Sequence, residues 1–192
     1  ADVTINGLEW SMTDMSLKTS NLKAKLNAND SLVRVILKNN DLAADFIALC
    51  SVDTLVARLT RTIEVLDSQV VKRDFDVSGL QRNLPRLSAR LEKRKNNVLS
   101  SLLASNGMSA ENVSLSVDND SLFNIKGDVL HFQSGDTRLD TLSFSALQHS
   151  RFLIYKASLG NEPGTMDAFA KVDINGYVAR DKISVFAKQQ NI

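Results

Sequence analysis

Hydrophobic and polar residues alternate along the first quarter of the chain. Between residues 12 and 48 the apolar positions recur with a period of two, for example around Leu22 and Leu26, where Lys and Asn alternate with Leu and Ala. This period places apolar side chains on one face of a β-strand. Segments 27–30 (NAND) and 38–41 (KNND) have the composition of turns. The pattern predicts an antiparallel meander.

The spacing of the apolar residues changes to three or four after Ser51. This helical period, with Ser51 at an N-cap position, predicts a helix over about 52–70. The residues that carry the period are Val52, Leu55, Val56, Leu59, Ile63, Leu66 and Val70.

Two shorter helices are predicted after the first. One covers about 78–84, with Ser78 as its N-cap and Pro85 as its stop. The other covers about 97–106 and ends at Asn106-Gly107.

The segment between the two short helices alternates again. Leu87, Ala89 and Leu91 are separated by polar residues, which favours a strand. The alternative is one helix from Leu80 to Ser105 with a kink at Pro85.

The alternation returns at Asn112 and continues to the end of the sequence. Gly127 shifts the parity of the apolar positions, which predicts a β-bulge there. Asn175-Gly176 predicts a tight turn.

Together these patterns predict a mainly β fold with a helical insertion (α+β), built as an elongated antiparallel meander. We expect a β meander over 1–49, a helical insertion with one strand over 50–110, and a second antiparallel meander over 111–192. Since the chain stops within a strand-like pattern, we expect residues 1–192 to be a single fragment of a larger protein.

Composition narrows the classes of function. The 192 residues carry a net charge of +1, so no global field attracts nucleic acid or an anionic membrane. A single cysteine, Cys50, excludes an internal disulfide framework. No apolar run is long enough to span a bilayer.

Candidate catalytic and metal-binding residues are few. His131 and His149 lack an HxH or HExxH pattern, so we expect surface histidines and no metal site. Cys50 precedes the first helix, where a thiol can be activated, but no basic residue or histidine is near it in sequence, so we expect a small apolar packing residue.

Four carboxylates form a remote alternative, an acid–base pair of a carbohydrate-active β-solenoid enzyme. They are Asp136, Asp140, Glu162 and Asp167. We expect all four in turns or on polar strand faces, where acidic residues are common. The sequence therefore predicts a protein that is not an enzyme and has no cofactor.

The most basic stretch runs from Arg82 to Lys95. Its six basic residues against Glu92 give a local charge of 6 − 1 = +5, which suggests a surface for anionic lipid headgroups. The alternative is a solvated strand face that discourages edge pairing. Nucleic acid is not predicted, because the stretch has no aromatic residues for base stacking. The six are Arg82, Arg86, Arg90, Lys93, Arg94 and Lys95.

The order of these segments resembles one region of the very large TamB proteins of Bacteroidetes-type bacteria, within the AsmA-like class. The resemblance begins with VDTLVARLTRTIEVLDS, DFDVSGLQRNLPRLSARL and NNVLSSLLASNGM. It continues through the β-rich stretch from LFNIKGDVLHF to the end of the chain. It covers most of the chain and involves no catalytic motif.

The resemblance implies a periplasmic portion of an inner-membrane-anchored bridge. Proteins of this class form a long curled sheet with an apolar groove, so the resemblance implies that the meander curls into a taco-like sheet. They take part in phospholipid transport and outer-membrane protein assembly. The implied partners are phospholipid acyl chains and an outer-membrane assembly protein of the Omp85 class. The helical insertion departs from an uninterrupted groove, and is expected to plug or bound it.

The predicted groove lining is an alternating apolar face. Burying acyl chains on such a face contributes about 0.8 kcal/mol per methylene without any specific polar contact. The alternative is that the same residues form a closed core. The lining candidates are Leu142, Phe144, Leu153, Tyr155, Ala168, Ala170, Val172, Ile183 and Val185.

A second function of a different class is a protein-interaction module. In that hypothesis an exposed edge strand or the helical insertion docks an assembly partner by β-augmentation.

Overall fold

The structure is a computed structural model that describes residues 2–12, 15–95, 97–161 and 171–190, and side chains from Leu22 onward except that of Val98. It contains twelve strands and three helices in the described residues. The strands are β1 (Asp2–Met12), β2 (Met15–Ala28), β3 (Val33–Lys38), β4 (Leu42–Ala48), β5 (Leu87–Lys93), β6 (Met108–Ser109), β7 (Asn112–Asp118), β8 (Asn124–Ser134), β9 (Thr137–His149), β10 (Phe152–Gly160), β11 (Lys171–Val178) and β12 (Ile183–Gln190). The helices are α1 (Val52–Lys72), α2 (Val77–Asn83) and α3 (Val98–Ser105).

All the strands belong to one open antiparallel sheet, which confirms the predicted mainly β fold with a helical insertion. The order is β1-β2-β3-β4-β5-β7-β8-β9-β10-β11-β12, and the short strand β6 pairs with β8. Apart from β6 the order follows the chain, so each of the other strands lies beside the one before it even where helices intervene. The sheet does not close into a barrel.

The long helix was predicted correctly, and its two ends explain why. The Ser51 side chain accepts a hydrogen bond from the Thr54 backbone N–H, which satisfies one of the free donors of the first turn. At the other end Arg73 adopts a left-handed conformation with φ 54°, and α1 stops at Lys72.

The shorter helices and β5 also lie close to their predicted positions. The predicted cap of α2 was wrong, because Asp76, and not Ser78, accepts the Gly79 N–H at 2.9 Å. The kinked-helix alternative was wrong too. Residues 87–93 pair with β4 and β7 as a strand, since their alternating apolar side chains continue an existing sheet.

Two predictions based on glycine were wrong. Gly127 pairs regularly with Leu115 and Phe144, so no bulge exists there. The irregular position of β8 is His131, whose φ is 50°.

Asn175-Gly176 is not a turn, because β11 passes straight through it and Gly176 pairs with Tyr155 and Val185. The connection to β12 falls instead at residues 179–182, where the Ala179 N–H bonds the Lys182 carbonyl at 2.8 Å. A Cβ at Gly176 would meet the Ser184 carbonyl and the Tyr155 hydroxyl. Close backbone approach explains this glycine.

The strands run between two ends of the sheet. We call the end that holds Ala48 and Gln148 the lower end, and the end that holds Leu42 and Lys93 the upper end. The buried residues of the described chain gather near these two ends, with Gly127 the exception. The chain exposes 12631 Å², well above the roughly 9,000 Å² of a compact monomer of this mass. Among the described residues, none forms a covering layer over the middle of the sheet.

Candidate functional site

An uninterrupted row of apolar residues crosses the middle of the sheet. Residues that pair directly in an antiparallel sheet share one face. Following the pairs from β2 to β12 therefore gives neighbours on a single face. The row is Ala24, Leu37, Ala44, Leu91, Leu115, Gly127, Phe144, Ala157, Ile174 and Ala187.

A second row, two residues nearer the lower end, is also apolar throughout. It consists of Leu26, Val35, Phe46, Ala89, Val117, Ile125, Ala146, Tyr155, Gly176 and Val185. The one polar atom of its side chains is satisfied, since the Tyr155 hydroxyl donates to the Ser184 carbonyl at 2.8 Å. We call the two rows and the residues that share their face the apolar face.

The opposite face has the reverse character, and we call it the polar face. Its central row is Lys25, Ile36, Asp45, Arg90, Ser116, Lys126, Ser145, Lys156, Asn175 and Phe186. One face of this sheet suits water, and the other requires an apolar environment.

The apolar face is only half-buried. Of the twenty residues in its two rows, Gly127 alone is buried, and the others keep contact with solvent. In the described part of the chain, each side chain is shielded by its neighbours within the sheet and not by a second layer. A closed β-sandwich core would bury these positions.

The described groove candidates all lie on this one face. Leu142 and Val172 lie one row above the first row, each paired with Leu159. Leu153 pairs with Val178, which pairs with Ile183, in the row nearest the lower end. Phe144, Tyr155 and Val185 belong to the two central rows. Ala168 and Ala170 lie outside the described residues.

Two aromatic side chains lie on glycines within this face. A Cβ at Gly127 would collide with the Phe144 ring, and a Cβ at Gly176 would collide with the Tyr155 hydroxyl. Both rings therefore cover the backbone of a neighbouring strand. Each aromatic residue is also paired with a small one across the strands, Phe144 with Ala157 and Tyr155 with Ala146.

Helix α1 follows the lower end of the sheet. Near its start Leu55 packs with Val33 and Ala48. Just after its end, Phe75 N–H donates to the Arg180 carbonyl at 2.7 Å in the β11–β12 turn. The 21 residues of α1 span about 31 Å, which matches the roughly 29 Å across the strands from β4 to β11.

Helix α2 and the residues next to it form hydrogen bonds with the turns at the lower end of the sheet. These turns lie between the two points where α1 contacts the sheet. The Ser78 hydroxyl donates to the Ser150 carbonyl at 3.4 Å, and Gln81 Nε2 to the Ser121 carbonyl at 3.3 Å. Buried Asn119 donates to the Pro85 carbonyl at 2.9 Å. These contacts place α1 and α2 along the lower boundary of the apolar face.

The upper end is built around a buried lysine. Lys93 is 1% exposed, and its ammonium donates to the carbonyls of Ala110, Lys95 and Glu111 at 2.6, 2.7 and 3.0 Å. Burial lowers the pKa of Lys93, while the nearby Glu111 carboxylate opposes that shift. The three N–H donors of the ammonium match the three carbonyls, so Lys93 joins the start and the end of the segment between β5 and β7.

A second polar group lies at the upper end of β8 and β9. Asp140, 3% exposed, is 3.7 Å from His131 Nδ1 and 3.9 Å from Arg138 Nε, and its N–H bonds Asn161 Oδ1 at 3.2 Å. The expectation that Asp140 lies on a polar face or in a turn was wrong, because Asp140 is buried within β9 on the side of Leu142 and Phe144. His131 lies 3.4 Å from Glu111.

The other chemical candidates do not converge in the described chain. Asp136 lies in the β8–β9 turn, while Glu162 and Asp167 are outside the described residues. No group of three or more His, Cys, Asp or Glu residues in the described ranges has a metal-binding arrangement. Cys50 packs against the cluster of Val33, Ala48 and Leu55.

The six basic candidates do not form one surface. The prediction that Lys93 contacts lipid headgroups was wrong, because its ammonium is buried. Arg82 and Arg86 lie at the lower end, where they pair with Asp76 and Asp120. Arg94 and Lys95 follow the upper end of β5, about 20 Å away, and Arg94 lies 3.8 Å from Glu92. Arg90 belongs to the polar face.

The polar face holds a depression of about 490 Å³ over β8–β11. At its side the Ser158 hydroxyl donates to Asp173 at 2.8 Å, and Lys171 lies 3.4 Å from the same carboxylate. The Ser158 hydrogen bond, followed by the lysine charges, lowers the pKa of Asp173.

Comparison with known proteins gives no assignment: no protein family, curated protein or solved structure matches the chain. None of the helices in the described ranges has the length and apolar character needed to cross a membrane.

Sequence analysis missed most of the apolar face. It named residues of β9–β12 and overlooked the equivalent positions of β2–β8, such as Leu37, Leu91 and Leu115. The signal was present, because each strand alternates. The buried Lys93 had no such signal, since it occupies an apolar parity position in β5 among basic neighbours.

Proposed function

We propose that this chain is a non-enzymatic scaffold segment of a TamB-like bridge between bacterial membranes. In this proposal it lies in the periplasm, anchored through other parts of the protein to the inner membrane. Its apolar face carries phospholipid acyl chains, and the bridge works with an outer-membrane assembly protein of the Omp85 class. The resemblance in segment order supports the proposed family. The apolar face of the sheet supports the proposed binding of acyl chains.

The observation that supports the proposal is the continuous apolar face. Its two central rows run across the strands from β2 to β12 with no charged residue in either row. Ten strands at about 4.8 Å spacing give a path of roughly 43 Å, longer than one acyl chain. An acyl chain that lies on this path gains about 0.8 kcal/mol per buried methylene.

In the proposed groove, the position of α1 suits a boundary of the apolar face better than a plug that blocks it. Helix α1 runs along the lower strand ends, perpendicular to the strands and parallel to the apolar rows. Such a helix leaves the rows open in the middle of the sheet.

The test is native mass spectrometry with lipid extraction on the chain purified from a membrane-containing bacterial lysate. We expect co-purified phospholipid with the wild-type chain. Ala146→Glu places a carboxylate in the second apolar row and should remove the lipid. Ser145→Glu is the matched control, since the adjacent residue points to the polar face between Lys126 and Lys156.

Circular dichroism and urea unfolding of both variants separate lipid loss from unfolding. On an open face the new carboxylate reaches water, so Ala146→Glu should fold. Lipid-free wild-type protein, or a folded Ala146→Glu variant that keeps its lipid, would overturn the proposal.

A second candidate function is docking of an assembly partner on β12. In the described residues β12 pairs only with β11, and Ile183, Val185 and Phe186 are exposed on its two faces. A free strand edge with apolar flanks suits β-augmentation. Slower amide hydrogen exchange in β12 on addition of an Omp85-class protein, with none in β3, would support it; unchanged exchange in β12 would contradict it.

A further inference from the structure

Helix α1 carries an exposed apolar stripe with the spacing of a coiled coil. Its members recur at intervals of four, three, four, three and four residues, which is a heptad pattern. All six are exposed although the helix is docked on the sheet. They are Val52 (45%), Val56 (58%), Leu59 (36%), Ile63 (62%), Leu66 (43%) and Val70 (55%). We call this set the α1 stripe.

The residue types in the stripe are those of a parallel two-stranded coiled coil. The a positions are β-branched (Val56, Ile63 and Val70), and two of the three d positions are leucine (Leu59 and Leu66). β-branched residues at a with leucine at d favour parallel dimers, because each side chain then packs in its preferred rotamer.

The flanking positions favour a parallel pair over an antiparallel one. In a parallel pair Thr62 would face Asp67 of the second copy, and no like charges meet. In an antiparallel pair centred on the stripe, Asp53 would approach Asp67 of the second copy at both ends. Repulsion between like charges disfavours that arrangement.

The docking of α1 leaves room for a second copy. The side of α1 that contacts the protein includes buried Leu55 and Gln69, whose Oε1 accepts the Asp76 N–H at 3.1 Å. The stripe lies roughly 90° around the helix axis from that side, at 100° per residue. A two-fold axis parallel to α1 therefore places the two sheets on opposite sides of the helix pair.

We propose that the α1 stripe is a homodimer interface, in which α1 pairs in parallel with α1 of a second copy of this chain. The inference goes beyond the proposed function and does not depend on it. The stripe is about 27 Å long and, at about 10 Å wide, offers about 270 Å² per copy, below the roughly 800 Å² per partner of a stable complex. We expect a weak dimer that forms as concentration rises.

The first experiment is sedimentation equilibrium of the wild-type chain over a range of concentrations. We expect a mass that rises from 21.1 kDa towards twice that value. Ile63→Lys, at the centre of the stripe, should hold the mass at one chain. Val71→Lys is the matched control, because Val71 is 82% exposed and lies off the stripe; it should dimerise like the wild type.

The second experiment tests orientation in a Cys50→Ser background. Val70→Cys should form a disulfide-linked dimer under mild oxidation, since equal a positions are neighbours in a parallel pair. In an antiparallel pair the two residues would lie about 27 Å apart.

Either of two results would overturn the homodimer: a single-chain mass at every concentration, or a dimer that Ile63→Lys leaves intact. A dimer without the Val70→Cys cross-link would overturn the parallel orientation. Binding of a foreign amphipathic helix to a chain that stays monomeric would assign the stripe to another partner, against the proposal. Circular dichroism checks that each variant folds.

Discussion

The two ends of the sheet are closed by opposite kinds of chemistry. At the lower end Leu55 of α1 packs with Val33 and Ala48, an apolar cluster in which Ala48 is completely buried. At the upper end a buried ammonium, that of Lys93, holds three carbonyls. Between them, no other part of the described chain covers the apolar face. The comparison shows that tertiary contacts stabilise the two ends of this sheet, whereas its widest apolar surface stays exposed to solvent.

The largest expected effect is at the upper end. Lys93→Met keeps the length of the side chain and removes the ammonium, so the buried Ala110 carbonyl and the half-buried carbonyls of Lys95 and Glu111 lose their donor. We expect a loss of about 3 kcal/mol in the free energy of unfolding, measured by urea denaturation. Amide exchange should rise in residues 97–111.

Lys126→Met is the control for that change, because Lys126 is exposed on the polar face. A stability equal to wild type for Lys93→Met would mean that the charge does not hold the upper end together, and the comparison would fail.

The lower end should respond to the loss of apolar volume. Leu55→Ala removes the α1 side chain that packs with Val33 and Ala48, and we expect a loss of about 2–3 kcal/mol. Thermal and urea unfolding measure it. Val71→Ala, at a position 82% exposed, should change stability by less than about 0.5 kcal/mol. Equal effects of the two changes would contradict the packing of α1 on the sheet.

The open middle should be sensitive to backbone crowding at Gly176. Gly176→Ala places a methyl group against the Ser184 carbonyl and the Tyr155 hydroxyl. We expect a loss of about 1–3 kcal/mol and faster amide exchange in β12. Asn175→Ala, at the exposed neighbouring position, is the control, and identical behaviour of both variants would contradict the close approach of β11 and β12.

The smallest effect concerns pH on the polar face. The pKa of Asp173 is lowered in the folded chain, so its contribution to stability is present above its ordinary pKa and is lost as the pH falls through the lowered value. Ser158→Ala removes the largest cause and should raise the pKa of Asp173, as an NMR titration of the carboxyl carbon would show. Ser143→Ala, at the cross-strand neighbour of Ser158, is the control and should leave the pKa of Asp173 as low as in the wild type. If Ser158→Ala does not change the pKa of Asp173, the hydroxyl is excluded as the cause.

The local pattern was enough to predict most elements. α1 and β5 follow from the periods of their apolar residues, because a helix and a strand repeat at different intervals. The glycine predictions at Gly127 and Gly176 were wrong because the same residue serves a turn, a bulge or a close strand contact. Only neighbouring strands distinguish these uses.

The candidate site was predicted in kind and only partly in extent. Phe144, Leu153 and Tyr155 could be named because alternation within a strand shows which residues share a face. The surface candidates around Lys93 could not be sorted in the same way. Burial of a lysine depends on carbonyls from Ala110 and Glu111, which are distant in sequence.

The sequence by itself determined that each strand has an apolar and a polar side, and that α1 has an apolar stripe, since these depend on residue spacing along one segment. The tertiary structure decided how those sides join. Pairing across the strands aligns apolar positions into continuous rows, and the docked side of α1 leaves its stripe exposed. Alternation fixes the parity of side chains within a strand, whereas register and cover arise only from contacts between segments that lie far apart in the chain.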